Sequence, residues 1–236
     1  MWFVVLAGCI PDVATVSMTG TVHDAPAAEG AVVEGVTLES RDFSDEVVGT
    51  TTTAADGTFA VDVPQGVDFF LSLTKSGFLP THFSGVGAAV DFDAGDGYPW
   101  IVPESFVEQL RSDFSACPTV ADEGAIVTGE VRYWLNTDEP GTEPLVDTAE
   151  VHVVTSADDL QYDACYLDDE GNSLADGTET GASGRFAVFG LPAGVLAVEV
   201  GWHPPNGDYV SSHPQYQVLE GGVVPMYPAW AYTTVE

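Results

Sequence analysis

Apolar and polar residues alternate in short runs along most of the chain. Phe59-Ala60-Val61-Asp62-Val63 sets Phe59, Val61 and Val63 on one side of an extended segment, and Phe186-Ala187-Val188 repeats the pattern. Gly, Pro and Asp cut these runs every few residues, which predicts short strands with one buried face. Asp56-Gly57 and Ser183-Gly184 predict tight hairpin turns, because Gly accepts a positive φ. Pro64-Gln65-Gly66 and Pro192-Ala193-Gly194 predict the next turn, and Leu71, Leu73 or Leu196, Val198, Val200 the returning strand. One window departs from this. Phe106, Val107, Leu110 and Phe114 stand at helical spacing behind Pro103-Glu104, predicting a single short amphipathic helix.

The strand pattern occurs twice. Thr19-Gly20-Thr21-Val22, Gly30 to Leu38, Thr51 to Gly66 and Phe70 to Phe78 form the first copy. Thr128-Gly129-Glu130-Val131, Thr148 to Val154, Thr180 to Gly194 and Leu196 to Trp202 form the second. This order of motifs resembles the carboxypeptidase regulatory-like domain family. The resemblance implies an all-β protein of two tandem seven-stranded Greek-key sandwiches, transthyretin-like or Ig-like, joined by a linker with one short α-helix. It divides the chain into residues 1–16 (signal remnant and tether), 17–90 (first sandwich), 91–123 (linker) and 124–236 (second sandwich). The second copy departs from the pattern by an insertion between Val154 and Thr180 that holds Cys165 and Asp168-Asp169-Glu170. Such a sandwich hosts many roles, so the resemblance speaks for fold and not for function. The peptidase that names the family keeps its zinc in a separate catalytic domain. No H-x-x-E or H-E-x-x-H motif occurs here, and His23, His82, His152, His203 and His213 lack ligand spacing.

Charge narrows the partners. Five Lys and Arg face 37 Asp and Glu among 236 residues, a formal net charge of −32. That field repels phosphate backbones and anionic headgroups, so nucleic acid is excluded as a partner. Still, 45% of residues are hydrophobic and 11% aromatic, enough for a core in each of two modest domains. Acidic residues spread over outward faces and loops predict a soluble monomer that salt stabilises by screening self-repulsion.

The chain opens Met1-Trp2-Phe3-Val4-Val5-Leu6-Ala7-Gly8-Cys9. This apolar run is shorter than the roughly 20 residues that span a bilayer. Leu6-Ala7-Gly8-Cys9 matches the bacterial lipobox, which implies that Cys9 is lipidated and that the membrane is a partner through an acyl anchor. No Lys or Arg precedes the motif, a departure that fits a true start lying further upstream. The competing reading is a buried first strand from Trp2 to Ala7. Ile10, where Asp would favour inner-membrane retention, points to the outer membrane or cell surface. An exported chain meets an oxidising compartment, where Cys117 and Cys165 form a disulfide or remain two free buried thiols.

Other chemistry is weaker. His203, Tyr209, His213 and Tyr216 carry the residue types of the iron site of intradiol dioxygenases, without that family's close His pair after Arg-Pro. Asp91, Asp93 and Asp96 before Gly97, and Asp168, Asp169, Glu170, Asn172 and Asp176, offer carboxylates for Ca, or are solvated loops. No G-x-S-x-G elbow or P-loop is present. Tyr98, Trp100, Tyr133, Trp134, Trp202, Tyr209, Tyr216, Tyr227, Trp230 and Tyr232 could stack on a glycan or anchor the core. The expectation is a non-catalytic, lipid-anchored envelope protein with structural, adhesive or ligand-presenting modules, no resident cofactor, and a glycan or envelope protein as partner. A carbohydrate-binding module and an intradiol-dioxygenase-like enzyme are the alternatives.

Overall fold

The computed structural model describes residues 14–25, 30–117, 124–133, 144–158, 160–204 and 208–231. Cys9, with the rest of the lipobox, lies outside them. The first half runs β1 (Thr15–His23), β2 (Thr37–Arg41), β3 (Val47–Thr52), β4 (Thr58–Pro64), β5 (Phe69–Thr74), β6 (Thr81–Gly85) and β7 (Phe92–Trp100). The helix α1 (Glu104–Asp113) follows. The second half runs β8 (Ala125–Tyr133), β9 (Glu150–Thr155), β10 (Gln161–Asp163), β11 (Cys165–Tyr166), β12 (Arg185–Leu191), β13 (Gly194–Trp202), β14 (Val210–Ser212), β15 (Gln215–Val218) and β16 (Val223–Ala231).

The two halves follow one plan. β1 pairs antiparallel with β4 and parallel with β7; β8 pairs antiparallel with β12 and parallel with β16. β2 and β5 are antiparallel neighbours, as are β9 and β13. The first sandwich packs β4-β1-β7 against β3-β2-β5-β6. The second packs β11-β12-β8-β16 against β10-β9-β13, which β14 and β15 extend. The insertion of the second copy supplies β10 and β11. β7 lies inside the stretch read as linker, so the first sandwich draws a strand from beyond residue 90.

Turn chemistry explains the hairpins. Gly57 has φ +76°, and a Cβ there would sit 3.0 Å from the Val22 carbonyl oxygen. The repeated Thr before each turn has a role that its sequence pattern does not disclose. The Thr53 hydroxyl donates to the Val33 carbonyl at 2.7 Å and accepts the Val36 N–H at 2.9 Å. The Thr180 hydroxyl does the same for the Val146 carbonyl at 2.7 Å and the Ala149 N–H at 3.0 Å. Both are buried, and each pins the loop that feeds β2 or β9. The copies differ one step away. Gly35 occupies the left-handed region at φ +72°, and Thr148 occupies the matching place at φ +61°. Their backbones bond alike, Gly35 N–H to the Thr53 carbonyl and Thr148 N–H to the Thr180 carbonyl.

One expectation needs correction. The Phe186-Val188 pattern predicts a strand buried on one face, yet β12 is buried on both. Phe186 and Val188 face the core of the second sandwich, while Ala187 (0% exposed) and Phe189 (3%) face the other way into a second cluster. The cause is a layer that covers the outside of this sheet.

Candidate functional site

That layer is the junction of the two halves. β16 pairs with β8 on one side and meets β6 on the other, through Val223 opposite Thr81. One eight-stranded sheet, in the order β11-β12-β8-β16-β6-β5-β2-β3, therefore runs through both sandwiches. The Val223 N–H donates to the Pro80 carbonyl at 2.8 Å, and the Ile126 N–H to the Gly222 carbonyl at 2.9 Å.

α1 braces the seam. Its predicted apolar face is real: Leu110 is buried, as is Phe114 just beyond its end. They join the first-half core to Ile126, Leu167, Ala187, Phe189 and Val223 in one cluster. The Phe114 and Phe189 rings meet edge to face at 6.3 Å. Arg185 on β12 pairs with Asp113 at 2.7 Å and lies 5.8 Å from the centre of the Phe114 ring. Cys117 and Cys165 are bridged, so the expected disulfide ties the chain after α1 to β11. The Ala116 N–H adds a bond to the Ser173 hydroxyl at 3.1 Å.

His82 on β6 lies inside the seam, 1% exposed. Its Nδ1 is 3.0 Å from the Ser72 hydroxyl, and its Nε2 accepts the Leu219 N–H at 3.3 Å. A Cβ on Gly222 would fall 2.6 Å from that Nε2, so the glycine allows the close approach. Burial pushes the imidazole down to about 4, which keeps it neutral and able to accept. Gln217 on β15 closes the seam's edge by donating to the Asp45 carboxylate at 2.5 Å.

Several of the carboxylates offered for Ca bond to backbone instead. The Asp91 carboxylate accepts the Ser17 N–H at 2.8 Å, and Asp93 accepts the Gly95 N–H at 2.9 Å. Asp168 closes its own turn, accepting from Glu170 N–H, Asn172 N–H and the Asn172 side chain; these bonds hold its carboxyl below the usual range. Among the described residues, no three His, Cys, Asp or Glu side chains converge to hold a metal ion. His203 packs its ring on Tyr209 at 4.8 Å, while His213 pairs with the Ser211 hydroxyl at 3.1 Å. Trp100 is buried against Phe106, and Tyr133 and Trp202 meet edge to face at 4.9 Å beside the second core. Tyr98 and Tyr209 keep exposed surface. Trp134 and Tyr232 lie outside the described residues. An open depression of about 530 Å³ adjoins Thr37, Lys75, Ser76 and Phe78, and the Lys75 ammonium is turned to the Glu34 carbonyl.

No family model matches the chain, and neither does any curated protein. Solved structures match loosely. The shaft pilin SpaA of Lactobacillus rhamnosus GG is 12% identical, with 94% of this chain and 99% of that chain covered at a TM-score of 0.31. GBS52, a minor pilin of Streptococcus agalactiae, is also 12% identical, with 94% and 97% covered at 0.30. The Bacillus anthracis TIE protein is 11% identical over 92% of this chain and 34% of its own, also at 0.30. Overlaps this loose carry no argument about this chain. No helix among the described residues is long and apolar enough to cross a membrane.

Proposed function

We propose that this chain is a non-catalytic, lipid-anchored module of the cell envelope. Its two carboxypeptidase regulatory-like sandwiches act as one stiff body that holds loops and sheet edges out from the membrane. The seam carries this reading. A shared sheet, a shared core and a disulfide clamp suit a spacer that transmits position between its ends, whereas independent binding modules need only a flexible linker. The anchor rests on Leu6-Ala7-Gly8-Cys9. Trp100 packs on Phe106 and Trp202 on Tyr133, so two of the aromatics offered for glycan stacking serve internal packing.

Fractionation tests the anchor: Cys9→Ala is expected to move the protein from the membrane pellet to the soluble fraction. A variant that still pellets rejects lipidation as the attachment. Small-angle scattering tests the stiff body, with a single conformer expected to fit the curve. A curve that needs a broad ensemble of inter-sandwich angles rejects it.

A further inference from the structure

Three valines stand exposed at the end of the first sandwich where the chain enters. Val86 is 82% exposed, Val90 70% and Val67 52%. They stand on two loops, the β4–β5 turn and the β6–β7 connection, locked to each other and to the entering chain. The Gly66 N–H donates to the Ala88 carbonyl at 2.8 Å, and the Gln65 side chain to the Ala89 carbonyl at 2.7 Å. The Gln65 N–H donates to the Ala14 carbonyl at 2.8 Å. The loops touch so closely that a Cβ on Gly87 would lie 2.2 Å from the Val67 nitrogen. Val86-Gly87-Ala88-Ala89-Val90 contains no charge. The nearest carboxylates in sequence are occupied by backbone, Asp68 by the Gly87 N–H and Asp91 by the Ser17 N–H.

We infer that this valine tip rests in the interfacial layer of the bilayer that holds the anchor, and so fixes the orientation of the body on the membrane. The inference builds on the anchor proposed above. Ala14 is five residues beyond Cys9 (14 − 9), a reach of roughly 17 Å fully extended. A lipidated Cys9 therefore keeps the tip within one chain-length of the headgroups, where even a small apolar surface is held at high effective concentration. Charge selects the lipid. No Lys or Arg lies on the two loops, and the β2–β3 turn at the same end of the sandwich carries Asp42, Asp45 and Glu46. The tip therefore suits zwitterionic headgroups and gains nothing from anionic ones.

The test uses the full lipidated chain in phosphatidylcholine vesicles. With Cys9 acylated and Cys117 bridged to Cys165, an added cysteine is the one free thiol for a bimane label. V86C probes the tip. V32C probes the opposite end of the same sandwich, where exposed Val32 packs beside Gly57. Doxyl-lipid is expected to quench V86C about threefold more than V32C, with no gain when phosphatidylglycerol is added. Equal quenching in protein whose mass shows the acyl chains overturns the tip and leaves the anchor standing. A mass without acyl chains overturns the anchor and the inference built on it. A V86C label shielded from lipid in a chain that sediments as a dimer assigns the valines to a second copy, and also overturns the inference.

Discussion

The two sandwiches are built to one strand plan, and they differ in what lies outside it. In β4, Ala60 and Asp62 stand exposed between the buried Phe59, Val61 and Val63. In β12, Ala187 and Phe189 take the matching places and are buried. The first strand has solvent behind it; the second has α1 and the first sandwich. A second apolar row in a repeated strand thus marks where one copy has acquired a neighbour. It shows which copy the linker helix was recruited to cover.

Breaking the clamp has the largest expected effect. Cys117→Ser frees a cross-link spanning 48 residues, which costs about 4 kcal/mol by chain entropy. Urea unfolding should place this loss in the second half and seam; a loss of under 1 kcal/mol would mean the clamp is redundant with the packing. Next comes the outer row. Phe189→Ala is expected to cost about 3–4 kcal/mol, against less than about 0.5 for Asp62→Ala at the matching site of β4. Equal costs would remove the distinction between the copies.

His82 tests the seam by pH. Its folded value of about 4 lies below the unfolded value near 6.5, so the unfolded chain binds more protons between the two. Stability should be whole above about pH 6.5, fall as pH drops toward 4, and level off below it. The full loss is at most roughly 3 kcal/mol. The difference in urea midpoint between the wild type and His82→Gln across pH 7 to 4 isolates it; a flat difference would place His82 outside any titrating seam. The smallest effect separates the copies at one residue. Thr148 holds a left-handed conformation that its partner position gives to Gly35. Thr148→Gly should stabilise by about 1 kcal/mol and Gly35→Thr destabilise by as much or more. A Thr148→Gly variant with a lowered melting temperature would reverse that assignment.

Much of this was open in the sequence. Alternation and turn residues gave the strands, the repeat gave the shared plan, and Phe106 to Phe114 gave the helix. Periodicity is local, and every one of these features is set within a few residues. The seam was hidden because it joins residues far apart: Thr81 with Val223, Asp45 with Gln217, His82 with Leu219. Ala187 and Phe189 were its one local trace, and a buried outer row reads like ordinary strand composition until its cover is known. Of the candidate chemistry, Cys117 and Cys165 came together. The carboxylates of Asp91, Asp93 and Asp168 accept backbone N–H groups, a use that spacing alone does not separate from metal binding.

β16 has a consequence for how the molecule is made. It follows every other described strand in the chain, yet it lies in the middle of the long sheet. Its partners are distant, 223 − 81 = 142 residues back on β6 and 223 − 126 = 97 on β8. The second sandwich therefore keeps the β8 edge open until β16 has been made, while β6 gains only the single pairing of Thr81 with Val223. Contacts this remote close slowly. The second sandwich and the seam are thus completed by the same late strand, so docking of the two halves and closure of the second are one event.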